Sequence, residues 1–191
     1  MIEKIKNLGS KKRILLNIAV LAILLLIYHL TTFILDMNNL VFRHTVFIPF
    51  VVITVILAFL LTLQIINFSF HLAADKNIKW LLRILSGIGT FILSVFLILS
   101  LLFGFFVSVF AYNPEHVVEK DGKTMVAYVN SFLQVYVEYY DYVNPLVRGK
   151  QVKIMVDGGN GGYDPYKDGG EPSVKRYIYY DDNGNIIAST W

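Results

Sequence analysis

The sequence predicts a membrane α-helical protein of three transmembrane helices followed by a small, mainly antiparallel β domain, and three observations predict it. Three apolar runs are each long enough to cross a bilayer. The composition changes abruptly after Asn113-Pro114, and from there valine- and tyrosine-rich runs alternate with turn dipeptides. Of 191 residues, 55% are hydrophobic and 16% charged, with mean hydropathy +0.56, whereas about a quarter of a soluble domain is charged. That balance argues against an ordinary cytosolic enzyme.

The apolar runs are 14–35, 45–70 and 81–110, all within a transmembrane domain of residues 1–112. Each exceeds the roughly 20 residues needed to cross a hydrocarbon core of about 30 Å. The first follows Lys11, Lys12 and Arg13 but is too long for a cleavable signal and has no A-x-A site after it, so it reads as a retained signal anchor. Lysine and arginine set the orientation. Lys4, Lys6, Lys11, Lys12 and Arg13 precede the first helix, Lys76, Lys79 and Arg83 surround the second loop, and the first loop has only Arg43. The N-terminus is therefore expected in the cytoplasm and residues 113–191 outside the cell membrane. Trp80 and Tyr112 then fall near opposite interfaces, and Pro49 in the first turn of the second helix.

Polar groups at membrane depth are few. The first two spans hold no Asp, Glu, Lys or Arg, and His29 is the one titratable side chain well inside a span. It reads as a proton-relay residue or as a hydrogen-bonding contact between helices, and Asn17, Gln64 and Asn67 read as interhelical or interfacial groups. In the third span small residues recur at Ser86, Thr90 and Ser94, then at Ser100, Gly104 and Ser108. Such a face lets helix backbones approach closely. It has two readings: packing against the chain's own helices, or a seam with a second copy or a partner.

Charge divides with composition. Residues 1–112 carry nine Lys/Arg against three acids, and 113–191 carry eight against eleven. The excess of positive charge thus flanks membrane spans, and no nucleic-acid partner is implied. The chain has no cysteine, which removes disulfides, thiolate metal sites and cysteine nucleophiles together.

In the extracytoplasmic β domain, 113–191, two hairpins are expected. One turns at Asp121-Gly122 and the other at Asn183-Gly184, because such dipeptides accept the positive φ of tight turns. Runs 134–143 and 151–156 read as strands, divided by Asn144-Pro145 and Arg148-Gly149. Tyr128, Phe132, Tyr136 and Tyr140 recur every fourth residue, so a helix over 124–133 competes with a strand there; the valine and tyrosine content favours the strand.

Residues 157–172 contain four acids and six glycines in sixteen positions. The spacing fits neither an EF-hand nor the GGxGxD repeat, and no phosphate-loop pattern is present. Calcium binding and a long solvated hairpin loop that contacts a partner are the two readings. Asp157, Asn160, Tyr163, Asp164, Tyr166 and Asp168 are the partner-binding candidates, and Asp181 to Asn185 has the same pair of readings. No cofactor or metal is expected, and no catalytic residue. His116 stands alone as the external histidine, and paired carboxylates such as Asp164 and Asp168 would serve glycoside hydrolysis only in a larger cleft.

The segments Val129-Asn130-Ser131-Phe132, Tyr139-Tyr140-Asp141-Tyr142-Val143-Asn144, Arg148-Gly149-Lys150, Gly161-Gly162-Tyr163-Asp164-Pro165 and Tyr179-Tyr180-Asp181-Asp182-Asn183-Gly184 resemble those of small uncharacterised three-span membrane proteins of low-GC Gram-positive bacteria. The resemblance implies a cell-membrane protein with an external tail and carries no activity or site residues with it. The expected role is non-enzymatic: the helices anchor an external β domain that binds a protein or cell-envelope partner, in an accessory or immunity-type role. The alternatives are a small oligomeric transporter or channel subunit and an envelope hydrolase.

Overall fold

The computed structural model describes residues 9–74, 79–111, 113–167 and 170–190. Three helices, α1 (Ser10–Met37), α2 (His44–Ala74) and α3 (Trp80–Ala111), are each long and apolar enough to cross a membrane. They begin earlier and end later than the apolar runs alone predict. Polar residues such as Ser10, His44 and the lysines of the first turn sit at helix ends, where backbone groups lack helical partners and water or interfacial contacts can satisfy them. Pro49 therefore lies in the second turn of α2 rather than the first, and its missing N–H leaves the carbonyl four residues back without its helical donor.

Seven strands form one antiparallel sheet: β1 (Leu40–Phe42), β2 (Glu115–Lys120), β3 (Lys123–Asn130), β4 (Gln134–Tyr142), β5 (Val147–Asn160), β6 (Arg176–Tyr180) and β7 (Ile186–Ser189). The order runs β2-β3-β4-β5-β6-β7. Strand β1 pairs with the start of β5, Leu40 opposite Gly149 and Phe42 opposite Val147, while β6 pairs further along the same strand, Ile154 opposite Tyr179. Both expected hairpins form. At the first, Asp121 and Gly122 both take positive φ, 51° and 74°, which is the backbone a two-residue turn with native strand twist requires.

The competing helix over 124–133 does not form, because residues 123–130 are β3. Met125, Ala127 and Val129 enter one core and Val126 and Tyr128 another, on opposite faces of the sheet. A helix would have gathered the aromatic residues on one stripe and left no partner for β2 and β4. The break expected at Arg148-Gly149 is also absent. Strand β5 runs through it, held on one side by β4 and on the other by β1, and bulges in the β4–β5 pairing absorb the irregularity.

The chain divides into two compact units. The first comprises Met1–His29 and Pro49–Ser108, and the second Leu30–Ile48 and Val109–Trp191. The expected boundary at 112/113 therefore misses a contribution: the end of α1, the first loop and the start of α2 group with the sheet. Because β1 and β5 share hydrogen bonds, the first loop and the residues after α3 lie on the same side of any membrane. Three crossings give this arrangement directly.

In the first unit α1 and α2 are antiparallel neighbours. The amide nitrogen of Asn17 donates to the carbonyl of Leu57 at 3.3 Å, and the rings of Tyr28 and Phe50 stack at 3.7 Å. Asn17 thus makes the interhelical contact expected of it, and His29 packs edge-on against Tyr28.

Candidate functional site

On one face of the sheet the side chains of β2, β3 and β5 meet the start of α2. The Glu115 side chain is 7% exposed and its carboxylate accepts four donors. Arg43 gives Nε at 2.7 Å and Nη2 at 2.6 Å to Oε1, while the His44 backbone N–H at 2.8 Å and the Tyr128 hydroxyl at 2.5 Å reach Oε2. Val46 and Phe47 donate to the Arg43 carbonyl, so Arg43 opens α2 and Glu115 places a negative charge at the helix N-terminus. Burial raises the Glu115 pKa, but the bonds from Tyr128, the His44 backbone and Arg43 outweigh it and hold the carboxyl below its usual range. Burial and then the bond to Glu115 push the Tyr128 phenol up to about 12.

Arg148 lies over the Tyr140 ring at 3.6 Å and the Tyr128 ring at 4.6 Å, and Arg43 over Tyr142 at 5.2 Å. The planar guanidinium groups stack on phenol faces while their edges reach oxygens, which Lys could not do. This cluster welds the first loop to the sheet. In the sequence Arg43 stands out only as a charge that bears on topology. A lone arginine between two apolar runs, followed in β2 by an isolated glutamate, was the signal available for the pair.

The opposite face holds the larger core, with Val129, Val135, Val137 and Tyr139 fully buried. The segment after β5 packs on it. Gly161 N–H bonds the Leu133 carbonyl and Gly162 N–H that of Ser131, and a Cβ on Gly161 would stand 2.5 Å from the Leu133 backbone. The Tyr166 and Tyr139 hydroxyls bond at 2.6 Å. Asp164 accepts from His116 Nε2 at 2.8 Å with one oxygen and from the Tyr166 backbone with the other. Two shallow pockets of about 430 and 620 Å³ flank His116.

These bonds sort the candidate residues of 157–172. The solvated hairpin loop expected there begins instead as strand, because 157–160 complete β5 and the glycines serve close backbone approach rather than looseness. Asp157 is buried and accepts from the Gln134 amide, at 2.9 Å to each oxygen, and from the Gly159 N–H. Its oxygens are occupied by donors. Asp164 and Tyr166 fasten the loop to the sheet, while Asn160 and Tyr163 are exposed. Asp168 lies outside the described residues, as do Tyr112 and Lys76. Asp181 likewise accepts from the N–H groups of Asn183 and Asn185 and from the Asn185 side chain, so it builds the β6–β7 turn. Among the described residues no three His, Asp or Glu side chains gather as a metal site would require.

A third feature was not legible in advance. The β2–β3 turn and the β6–β7 hairpin, far apart in the strand order, approach closely enough for Tyr179 to donate to Asp121 at 2.9 Å. On a flat sheet β3 and β6 would stand about 14 Å apart, so the sheet is strongly curled. Between them lies a groove of about 500 Å³ lined by Lys120, Lys123, Lys153, Asp141, Asp182 and Ile187 among others. Lys153 pairs with Asp182 and, at 3.6 Å, with Asp141, and the bond to Asp182 is the main cause raising its pKa.

In the helical unit, Ser86, Thr90 and Ser94 are half-buried, and the Thr90 and Ser94 hydroxyls bond carbonyls one turn back in their own helix. Ser100 and Gly104 line a groove of about 560 Å³ between α2 and α3, whose walls are otherwise almost wholly apolar; its Thr62 hydroxyl also bonds its own helix. The Ser108 side chain lies outside the described residues. At Thr90 and Ser94 the ladder thus carries hydroxyls bonded within their own helix, while a Cβ at Gly104 would meet nothing within 4 Å, so the close helix approach expected of the ladder is not made at that glycine.

No family model, no curated protein and no solved structure matches the chain.

Proposed function

We propose that this multi-pass membrane protein is a non-enzymatic anchor and recognition module: its helices hold the β domain at the outer face of the cell membrane, where the domain binds a protein or cell-envelope partner. The observation that carries this reading is the state of the last strand. No strand follows β7 in the sheet among the described residues, and its large apolar side chains are exposed, Ile186 at 62% and Ile187 at 68%. Soluble domains usually cover or charge such an edge. An uncovered one offers backbone donors and acceptors to an extended segment of a partner, here beside a groove of alternating lysines and aspartates.

The acidic and histidine side chains of the sheet support the same reading, because Glu115, Asp157 and Asp164 hold the fold together and leave little for chemistry. The Thr62, Thr90 and Ser94 hydroxyls, each bonded within its own helix, favour anchoring over conduction. The external placement rests on the lysines and arginines before α1 and around the second loop. A Ser189→Cys variant is expected to react with a membrane-impermeant thiol reagent on intact cells, and Ser10→Cys is expected not to; the reverse pattern would overturn the orientation.

Deleting 157–172 would remove the end of β5, so recognition is better tested at the surface. The full chain, purified in mild detergent from its native host, is expected to bring down one stoichiometric partner. Ile187→Lys should lose that partner while Asn160→Ser retains it. A partner bound equally by both variants would remove the β7 edge from the reading, and a homo-oligomer alone would shift it to the helices.

A further inference from the structure

Two turns of the sheet carry large apolar side chains into solvent; one is fastened to the first turn of a long helix, and the other closes a strand bonded to the residues that follow one. In the β4–β5 turn, Val143 and Leu146 are 47% and 57% exposed, and in the β3–β4 turn Phe132 and Leu133 are 61% and 81% exposed. Turns of water-facing sheets are ordinarily polar, because their backbone and tips stay solvated. These are not.

Hydrogen bonds fix where the turns lie. The Arg43 N–H donates to the Leu146 carbonyl at 2.9 Å, Arg43 Nη1 to the Asn144 carbonyl at 3.2 Å and the Thr45 hydroxyl to the Pro145 carbonyl at 2.6 Å. The β4–β5 turn therefore rests on the first turn of α2. The next residues of that helix are Val46, Phe47 and Ile48, already part of the membrane-length apolar run. The end of β3, which leads into the β3–β4 turn, is held at the other helix exit. Val129 N–H donates to the Pro114 carbonyl at 2.9 Å, and Pro114 stands three residues beyond the end of α3. Ser131 and Tyr163 line one pocket with Pro114 and Glu115, and Glu115 is itself bonded to Arg43 and His44. Both turns thus lie near residues that adjoin the ends of membrane-length helices.

We propose that these turns are membrane-docking loops, and that Phe132, Leu133, Val143 and Leu146 enter the interfacial layer of the same bilayer that holds the helices. The chemistry is that of aromatic and aliphatic groups at a lipid interface. The tethering makes the encounter intramolecular, so even modest apolar area keeps the loops engaged. One consequence is a second attachment: the sheet meets the bilayer through two apolar tips as well as through its covalent links to the helices. The inference stands independently of any partner at β7.

The absence of cysteine makes the test direct. Leu133→Cys, Leu146→Cys and, as a water-facing control, Ile187→Cys are each labelled with a polarity-sensitive fluorophore. The full chain is then placed in nanodiscs of phosphatidylcholine and phosphatidylglycerol loaded with one protomer each. Labels at 133 and 146 are expected to emit at shorter wavelength, to be quenched several-fold more by nitroxide-bearing lipid than the label at 187, and to resist iodide. Val143→Cys replaces any variant that loses its near-ultraviolet circular dichroism. Equal iodide access at 133, 146 and 187 would overturn the proposal. Shielding seen only in discs holding two protomers would also overturn it, because a second copy would then be the cover.

Discussion

Helix α3 and strand β4 contain similar aromatic and aliphatic side chains and dispose of them oppositely. In α3, Phe91, Phe96 and Phe103 stand outward, each about two-thirds exposed or more, whereas in β4 Val135, Val137 and Tyr139 are fully buried. The difference lies in the solvent each segment is built for. A membrane helix has no hydrophobic gain from turning phenylalanine away from lipid, so its half-buried positions can go to small residues such as Thr90 and Ser94. The sheet is solvated by water, and its apolar residues are driven inward at about 25 cal/mol per Å² of buried apolar surface.

Truncating Tyr139 to alanine breaks that comparison most severely. It opens a cavity in the larger core and strands the Tyr166 hydroxyl, so a loss of about 3–5 kcal/mol is expected, measured by denaturant titration of the sheet's near-ultraviolet circular dichroism in detergent. Phe91→Ala, at an outward position of α3, is expected to leave the same transition within about 0.5 kcal/mol. Equal losses would mean that the outward face of α3 is packed rather than bathed in lipid.

Arg43→Met acts between the two regions, on the loop that leaves the helices to join the sheet. It leaves the Glu115 carboxylate buried without its charge partner, at a cost of about 3 kcal/mol. Adding Glu115→Gln to that variant should restore part of the loss. Acid acts on the same tie with a predictable sign and a smaller effect. The Glu115 pKa is lowered in the folded protein from a reference of 4.5, so its stabilising contribution is complete above that value and disappears as pH falls through the lowered one. Wild-type stability should therefore decline more steeply below pH about 4.5 than that of Glu115→Gln; parallel declines would show that the carboxylate contributes nothing through its charge.

The comparison also explains how much could be read in advance. Membrane spans are legible because length and apolarity decide them alone, and the three helices appear where the runs predict them, with longer ends. The two hairpins are legible because Asp121-Gly122 and Asn183-Gly184 carry their own backbone preference. Strand β1 was illegible: Leu40-Val41-Phe42 is a three-residue strand that exists only because Arg148 and its neighbours pair with it. The acids of 157–172 misled for a related reason. Their composition suggests solvent, yet Asp157 turns inward to a glutamine from β4, which no local pattern announces.

By itself the sequence determined what is local: three helices long enough to cross a bilayer, the turn at Asp121-Gly122 and the change of solvent after α3. The tertiary structure alone decided that the first loop belongs to the sheet, that Arg43 and Glu115 form its buried tie, that His116 meets Asp164, and that two apolar turns stand beside the helix ends. The physical reason is range. A helix or a tight turn is specified by neighbours within a few residues, whereas a buried ion pair joins residues 72 apart in the chain, and its partners are chosen by whichever strands the sheet brings alongside.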